Sequence, residues 1–123
     1  RASPILNHWE LHSMLNARIN PNVPDPDDLY YYPIHWLARN AHVLALKMLR
    51  RAGAEVNVTN KMGLSPLHMG VLMKHPPDKR KDQVKVVKYL LDNGAWVNVR
   101  DKGGFCAIDH AAANQDSVLT WGL

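Results

Sequence analysis

The 123-residue chain has a single cysteine, Cys106, so no internal disulfide framework is available and a reducing compartment is expected. It has no run of about 18 apolar residues, so a membrane-spanning helix is not expected. No leader segment is visible, and the chain opens on Arg1 without a methionine, which reads as a fragment of a longer protein. Charge of one sign is also scarce. A net charge of +4, with seven histidines uncounted, falls well short of the dense basic stripe of a nucleic-acid binder. Catalytic groups are missing in combination: no nucleophile, acid–base pair and oxyanion donors can be assembled, so an enzyme is not expected. His8 and His12 lie four apart on an expected helix, a spacing able to ligate zinc. Their order, His-Trp-Glu-Leu-His through Glu10, is not the metalloprotease order, and no third ligand is evident. They read as solvent-side histidines, and neither a metal nor a cofactor is expected.

What the chain does have is self-similarity. Gly53-Ala54-Glu55-Val56-Asn57-Val58-Thr59-Asn60 returns as Gly94-Ala95-Trp96-Val97-Asn98-Val99-Arg100-Asp101, and a glycine follows each copy, Gly63 and Gly104. Pro33-Ile34-His35 returns 33 residues later as Pro66-Leu67-His68. A fixed period of this length means stacked repeats, which bury their core between neighbouring layers. With 46% apolar and 21% charged residues the composition supports such a core in one domain spanning 1–123.

One unit can be read from its residues. Ser65 is suited to cap a helix and Pro66 to open its first turn, giving a short apolar helix from Leu67 to Met73. Val84, Val86, Val87, Leu90 and Leu91 then recur at helical spacing, and Gly94 ends this second helix. A short extended piece from Ala95 to Val99 follows, then a turn at Asp101-Lys102-Gly103-Gly104. The earlier copy has the same plan, with helices from Pro33 to Asn40 and from Val43 to Arg51.

These residues resemble the ankyrin repeat. Asn60-Lys61-Met62-Gly63-Leu64-Ser65-Pro66-Leu67-His68 matches its opening, and Leu90-Leu91-Asp92-Asn93-Gly94-Ala95-Trp96-Val97-Asn98 matches its close. The resemblance covers roughly 27–117 and implies an all-α solenoid of helix-turn-helix units joined by β-hairpin-like finger loops. Residues 1–25 read as a partial or capping repeat, with Ile5 to Asn16 as its second helix. Residues 26–59 read as a repeat whose finger carries two extra residues, 60–100 as a repeat with an insertion at 74–82, and 101–123 as a degenerate or truncated repeat. Cys106-Ala107-Ile108-Asp109 stands at the start of this last unit in place of Thr-Pro-Leu-His, and Leu123 falls before the end of its second helix. Cys106 is expected to be buried packing.

The resemblance implies that His35 and His68 bond to their own turn and to the neighbouring finger, although Tyr32 replaces the usual threonine beside His35. It also implies a non-enzymatic module that binds a protein or peptide through a concave surface of finger tips and first helices, in an intracellular protein, cytoplasmic or nuclear, with flanking domains. Tyr31, Leu64 and Phe105 occupy equivalent finger slots with Met62 beside them, and Leu72 and Met73 stand where Arg39 and Asn40 stand one repeat earlier. Apolar residues aligned there would form a partner patch. The expected contacts are Tyr31, Trp36, Met62, Leu64, Leu72, Met73 and Phe105, flanked by Arg39 and Lys102. Of the aromatic cluster, Tyr32 is expected to pack inward and Tyr30 or Tyr31 outward, and Trp96 is expected to be exposed. A second reading is a docking or spacer layer whose apolar fingers are permanently covered. A third is binding of nucleic acid or an acidic partner by the basic segment from Lys74 to Lys88. In that segment Pro76-Pro77 argues for a surface loop.

Overall fold

Proline opens three of the helices in the described residues, at the first turn, where its missing N–H and fixed φ cost nothing. The structure is a computed structural model that describes residues 21–27, 29–73 and 75–113. Helix α1 spans Pro33–Arg39, α2 Val43–Arg51, α3 Pro66–Leu72, α4 Pro77–Asp92 and α5 Ala107–Ala113. The expected helix from Ile5 to Asn16, His8, His12, Lys74 and Leu123 lie outside the described residues.

Helices α1, α3 and α5 stack in one row, and α2 and α4 back onto α1 and α3 and onto each other. In the seven-residue α3, every residue from Pro66 to Val71 is buried. A helix this short is marginal in water, so its stability comes from that burial. Leu67 and Val71 each contribute about 1.5–3 kcal/mol on removal from water. This is the expected all-α stack, with its core between layers.

The fingers repeat one hydrogen-bond plan. Asn60 N–H donates to Leu64 O at 3.1 Å and Gly63 N–H to Asn60 O at 3.0 Å. Asp101 with Phe105 and Gly104 repeats this pattern at 2.9 Å for each bond. In the first finger the same two bonds join Asp25 to Tyr31 and Tyr30, so it carries two more residues than the others, as expected. Tyr30 takes a left-handed φ of 57° where Gly63 and Gly104 have 77° and 86°. Leu29 beside it has φ 54°. Such backbone costs an L-residue with a Cβ about 1–2 kcal/mol.

Neighbouring fingers are locked in register. Lys61 N–H donates to Leu29 O at 2.9 Å and Lys102 N–H to Met62 O at 3.0 Å. Asn57 bridges to the next unit, its Nδ2 donating to Gly94 O at 3.0 Å and its Oδ1 accepting from Trp96 N at 2.9 Å. Asn22 does the same toward Gly53 O and Glu55 N. His35 and His68 complete the lock. Tyr32 N–H donates to His35 Nδ1 at 3.0 Å, and His35 Nε2 lies 2.8 Å from Leu64 O. His68 Nδ1 accepts from Ser65 N at 3.2 Å, and its Nε2 lies 2.9 Å from Phe105 O. A backbone N–H facing Nδ1 leaves that nitrogen unprotonated, so Nε2 carries the proton and donates to the carbonyl. The bond at Tyr32 survives the loss of threonine because it uses the backbone amide.

The insertion is not the surface loop expected of it. Pro77 starts a helix instead of breaking one, and residues 77–82 are the first turns of the 16-residue α4. This extension is pinned at several points. His75 Nε2 donates to Arg39 O at 2.9 Å and the Lys79 ammonium to Asn40 O at 3.3 Å, placing both groups on the carbonyl end of α1, where donors and cations are favoured. Gln83 is buried and donates from Nε2 to Gly70 O at 3.0 Å and Met73 O at 2.8 Å. Replacing Gln83 with leucine is expected to lower stability by about 1–3 kcal/mol, because both carbonyls lose their donor where water cannot easily replace it. A urea denaturation midpoint equal to that of the parent chain would refute that anchoring role.

Candidate partner-binding surface

The first-finger end of the inner row is built from stacked side chains. Tyr31 packs on Trp36 with ring centroids 4.6 Å apart and lies 5.5 Å from the His35 ring. The Arg39 guanidinium lies over Trp36 at 5.5 Å, a cation–π contact that shields one face of the indole. Tyr31, Trp36 and Arg39 are all half-buried. Tyr32 is half-buried against the core, and Tyr30 points outward with Lys61 Nζ 4.6 Å from its ring.

At the tips, Met62 and Phe105 are 49% and 52% exposed, leaving about half of each residue for a partner to bury. Lys102 is exposed beside them. Leu72 and Met73 are half-buried, Leu72 packing on the core and Met73 serving Gln83 through its carbonyl.

Leu64 is a correction. It shares its finger slot with Tyr31 and Phe105 but is only 7% exposed and belongs to the core. Its finger lies between two others, bonded to both through Leu29 O and Lys102 N, so its side chain is covered. Leu64 is therefore not an available anchor. Cys106 is also corrected: it is half-buried, and both its N–H and its thiol donate to Asp109 Oδ2, at 3.0 and 3.2 Å. Asp109 thus caps its own turn, and the Cys106 N–H holds its carboxyl below the usual range.

His110, which the repeat pattern did not single out, belongs to this surface. Its ring meets Phe105 edge-on at 5.8 Å and His68 at 5.6 Å, and its Nε2 lies 2.8 Å from Asp101 Oδ2. The other oxygen of Asp101 accepts from Gly103 N and Phe105 N. Although desolvation pushes the other way, the Phe105, His110 and Gly103 donors together hold the Asp101 carboxyl low. Asn60 holds the equivalent turn through Oδ1 alone, and its buried Nδ2 has no partner among the described residues. His68, Asp101 and His110 bring possible metal-ligating atoms within 4.8 Å of one another. Both His68 nitrogens are already committed, however, so a cation there would cost the bond to Phe105 O that sets finger register.

Among the described residues no helix is long and apolar enough to cross a membrane. The family model described as "Ankyrin repeats (3 copies)" matches residues 7–101. The chain is 30% identical over 106 residues to the Mus musculus protein "Ankyrin repeat and SOCS box protein 6", covering 85% of this chain and 23% of that protein. It is 29% identical over 100 residues to a Rickettsia bellii (strain RML369-C) protein named for its ankyrin repeats, covering 80% and 33% respectively. A Danio rerio protein named as a palmitoyltransferase, ZDHHC13, is 30% identical over 77 residues, 63% of this chain and 11% of that protein. The chain thus spans a third or less of the length of these curated relatives.

Proposed function

The chain belongs to the ankyrin-repeat family, and on that premise we propose that it binds a protein or peptide partner through the finger tips and inner helices, without catalysis of its own. Ankyrin repeats are generally protein–protein interaction modules, and the family is typically non-enzymatic. The observation that carries the reading is the pair of exposed apolar tips, Met62 and Phe105, on fingers locked backbone to backbone. A preformed apolar surface loses little conformational freedom on binding, so more of its contact energy appears as affinity. Trp36 and Tyr31, stacked and half-exposed, are the aromatic type that dominates interface energetics. Arg39, Leu72, Met73 and Lys102 flank these anchors. The reading includes flanking domains in a longer intracellular parent and a division into units at 1–25, 26–59, 60–100 and 101–123.

The test replaces Met62 and Phe105 with serine together and compares the proteins captured by proximity labelling in cells. Both sites are exposed, so the stability change is expected to stay within about 0.5 kcal/mol per site, checked by thermal unfolding. Loss of a specific set of partners is expected. An unchanged partner list from the folded variant would sink the reading.

The docking-layer alternative has its own observation: Trp96, Val97 and Ile108 are exposed apolar side chains as well. Concentration-dependent self-association that the Met62 and Phe105 changes abolish would favour that alternative.

A further inference from the structure

The outer face of α4 is separate from the finger surface and has a chemistry of its own. Arg80, Lys81, Val84, Lys85 and Lys88 line a groove of about 370 Å³. Lys81, Lys85 and Lys88 are exposed, and Arg80 and Val84 are half-buried. Lys81 and Lys85 lie four residues apart, Lys85 and Lys88 three, so like charges face one another along one stripe. Each such pair works against the helix by a few tenths of a kcal/mol. The matching helix α2 repeats the stripe only in part, with Lys47 in the place of Lys88. Val43 stands in the place of Val84, but Leu44 takes the place of Lys85 and is 63% exposed. Arg80 and Lys81 exist on this face only because the insertion became two turns of helix. His75, Lys79 and Gln83 anchor that extension to the carbonyl ends of α1 and α3, and Arg80 donates to Gln83 Oε1 at 3.1 Å. The helix that carries the cations is therefore fixed before any ligand arrives, which lowers the backbone part of the ordering cost of binding.

We propose that this groove binds an acidic peptide segment of a partner protein. An apolar side chain of the peptide lies on Val84 and the methylene stems of the basic residues, and flanking carboxylates meet Lys81, Lys85 and Lys88. A peptide fits better than nucleic acid. The stripe extends only about 12 Å along one helix, and among the described residues no aromatic ring lines the groove for a base to stack on.

Fluorescence anisotropy of the full chain with a fluorescein-labelled glutamate-rich peptide carrying a central leucine tests this. The combined variant Lys81→Glu, Lys85→Glu, Lys88→Glu is expected to weaken binding roughly tenfold or more, and arginine at all three positions is expected to restore it. Affinity is also expected to fall steeply with added salt. The Met62→Ser, Phe105→Ser variant is expected to bind this peptide normally, so failure here is distinguishable from failure of the finger surface. Unaltered peptide affinity in the folded charge-reversal variant, or no binding by the parent chain, overturns the proposal. So does tighter binding of oligodeoxythymidine than of the peptide with the same dependence on the three lysines. Should charge reversal impair folding, Lys85→Gln with Lys88→Gln provides the milder comparison, with several-fold weakening expected and unchanged affinity counting against the groove.

Discussion

Acidification from neutral pH toward pH 4 is expected to destabilise the fold by about 3 kcal/mol through His35 alone. Burial, opposed only in part by its bonds to Leu64 and Tyr32, pushes the His35 pKa from the ordinary 6.5 down to about 4. The unfolded chain therefore takes up a proton near pH 6.5 that the folded chain refuses until about pH 4. Stability is fully present above the unfolded value and falls as the pH drops through the interval between the two, at about 1.4 kcal/mol for each pH unit. His68, lowered first by burial, and His42, lowered by burial and the nearby Lys79, act in the same direction. The structural reason is visible at Nδ1. A second ring proton would face the amide hydrogen of Tyr32 in one case and Ser65 in the other. Denaturant midpoints across this range should decline toward acid in the parent chain and more shallowly in His35→Gln, measured against its own neutral value. A flat profile in the parent chain would show that His35 is not buried in the neutral form.

Substituting Gly63 with alanine is expected to cost about 2–4 kcal/mol, whereas the same change at Gly94 should cost about 1 kcal/mol. Both glycines have left-handed backbone, with φ of 77° and 89°, so both carry the strain an added Cβ brings. They differ in what that Cβ meets. At Gly63 it would lie 3.0 Å from the Asp101 Cα and 3.1 Å from the Lys102 nitrogen, while at Gly94 it would meet nothing within 4 Å among the described residues. Main chain cannot rotate aside as a flexible side chain can, so the third finger must move and the Lys102 to Met62 bond lengthens. Hydrogen exchange at the Lys102 amide should accelerate in Gly63→Ala and not in Gly94→Ala. Equal losses of stability in the two variants would mean that strain alone is at work and that the fingers are not in close contact.

Most of this fold was legible in the repeat itself. The helix starts at Pro33 and Pro66 and the glycine after each second helix are local or near-periodic signals, and the double role of the turn histidines is what the family resemblance implies. The structure shows each of them. Three features were not legible. Pro76-Pro77 carries the same local signal whether proline ends a structure or begins a helix, and the choice here depends on Arg39 and Gly70, distant in sequence, offering carbonyls to His75 and Gln83. The half-exposure of Cys106 follows from its turn bonding to Asp109, which the expected burial overlooked. The role of His110 could have been sought from the acidic side chain of Asp101 in the preceding turn, but their meeting at 2.8 Å requires α5 to fold back over that finger.

Leu64 marks the boundary between the two kinds of information. Period and register determined by themselves that Tyr31, Leu64 and Phe105 share one slot, because hydrogen-bonded turns of the same plan repeat the same backbone. Only the stacking decided that Phe105 is open, Tyr31 leans on Trp36 and Leu64 is core. Exposure depends on what lies on either side of a finger. That is a property of neighbours in space, which the residues of one finger do not encode.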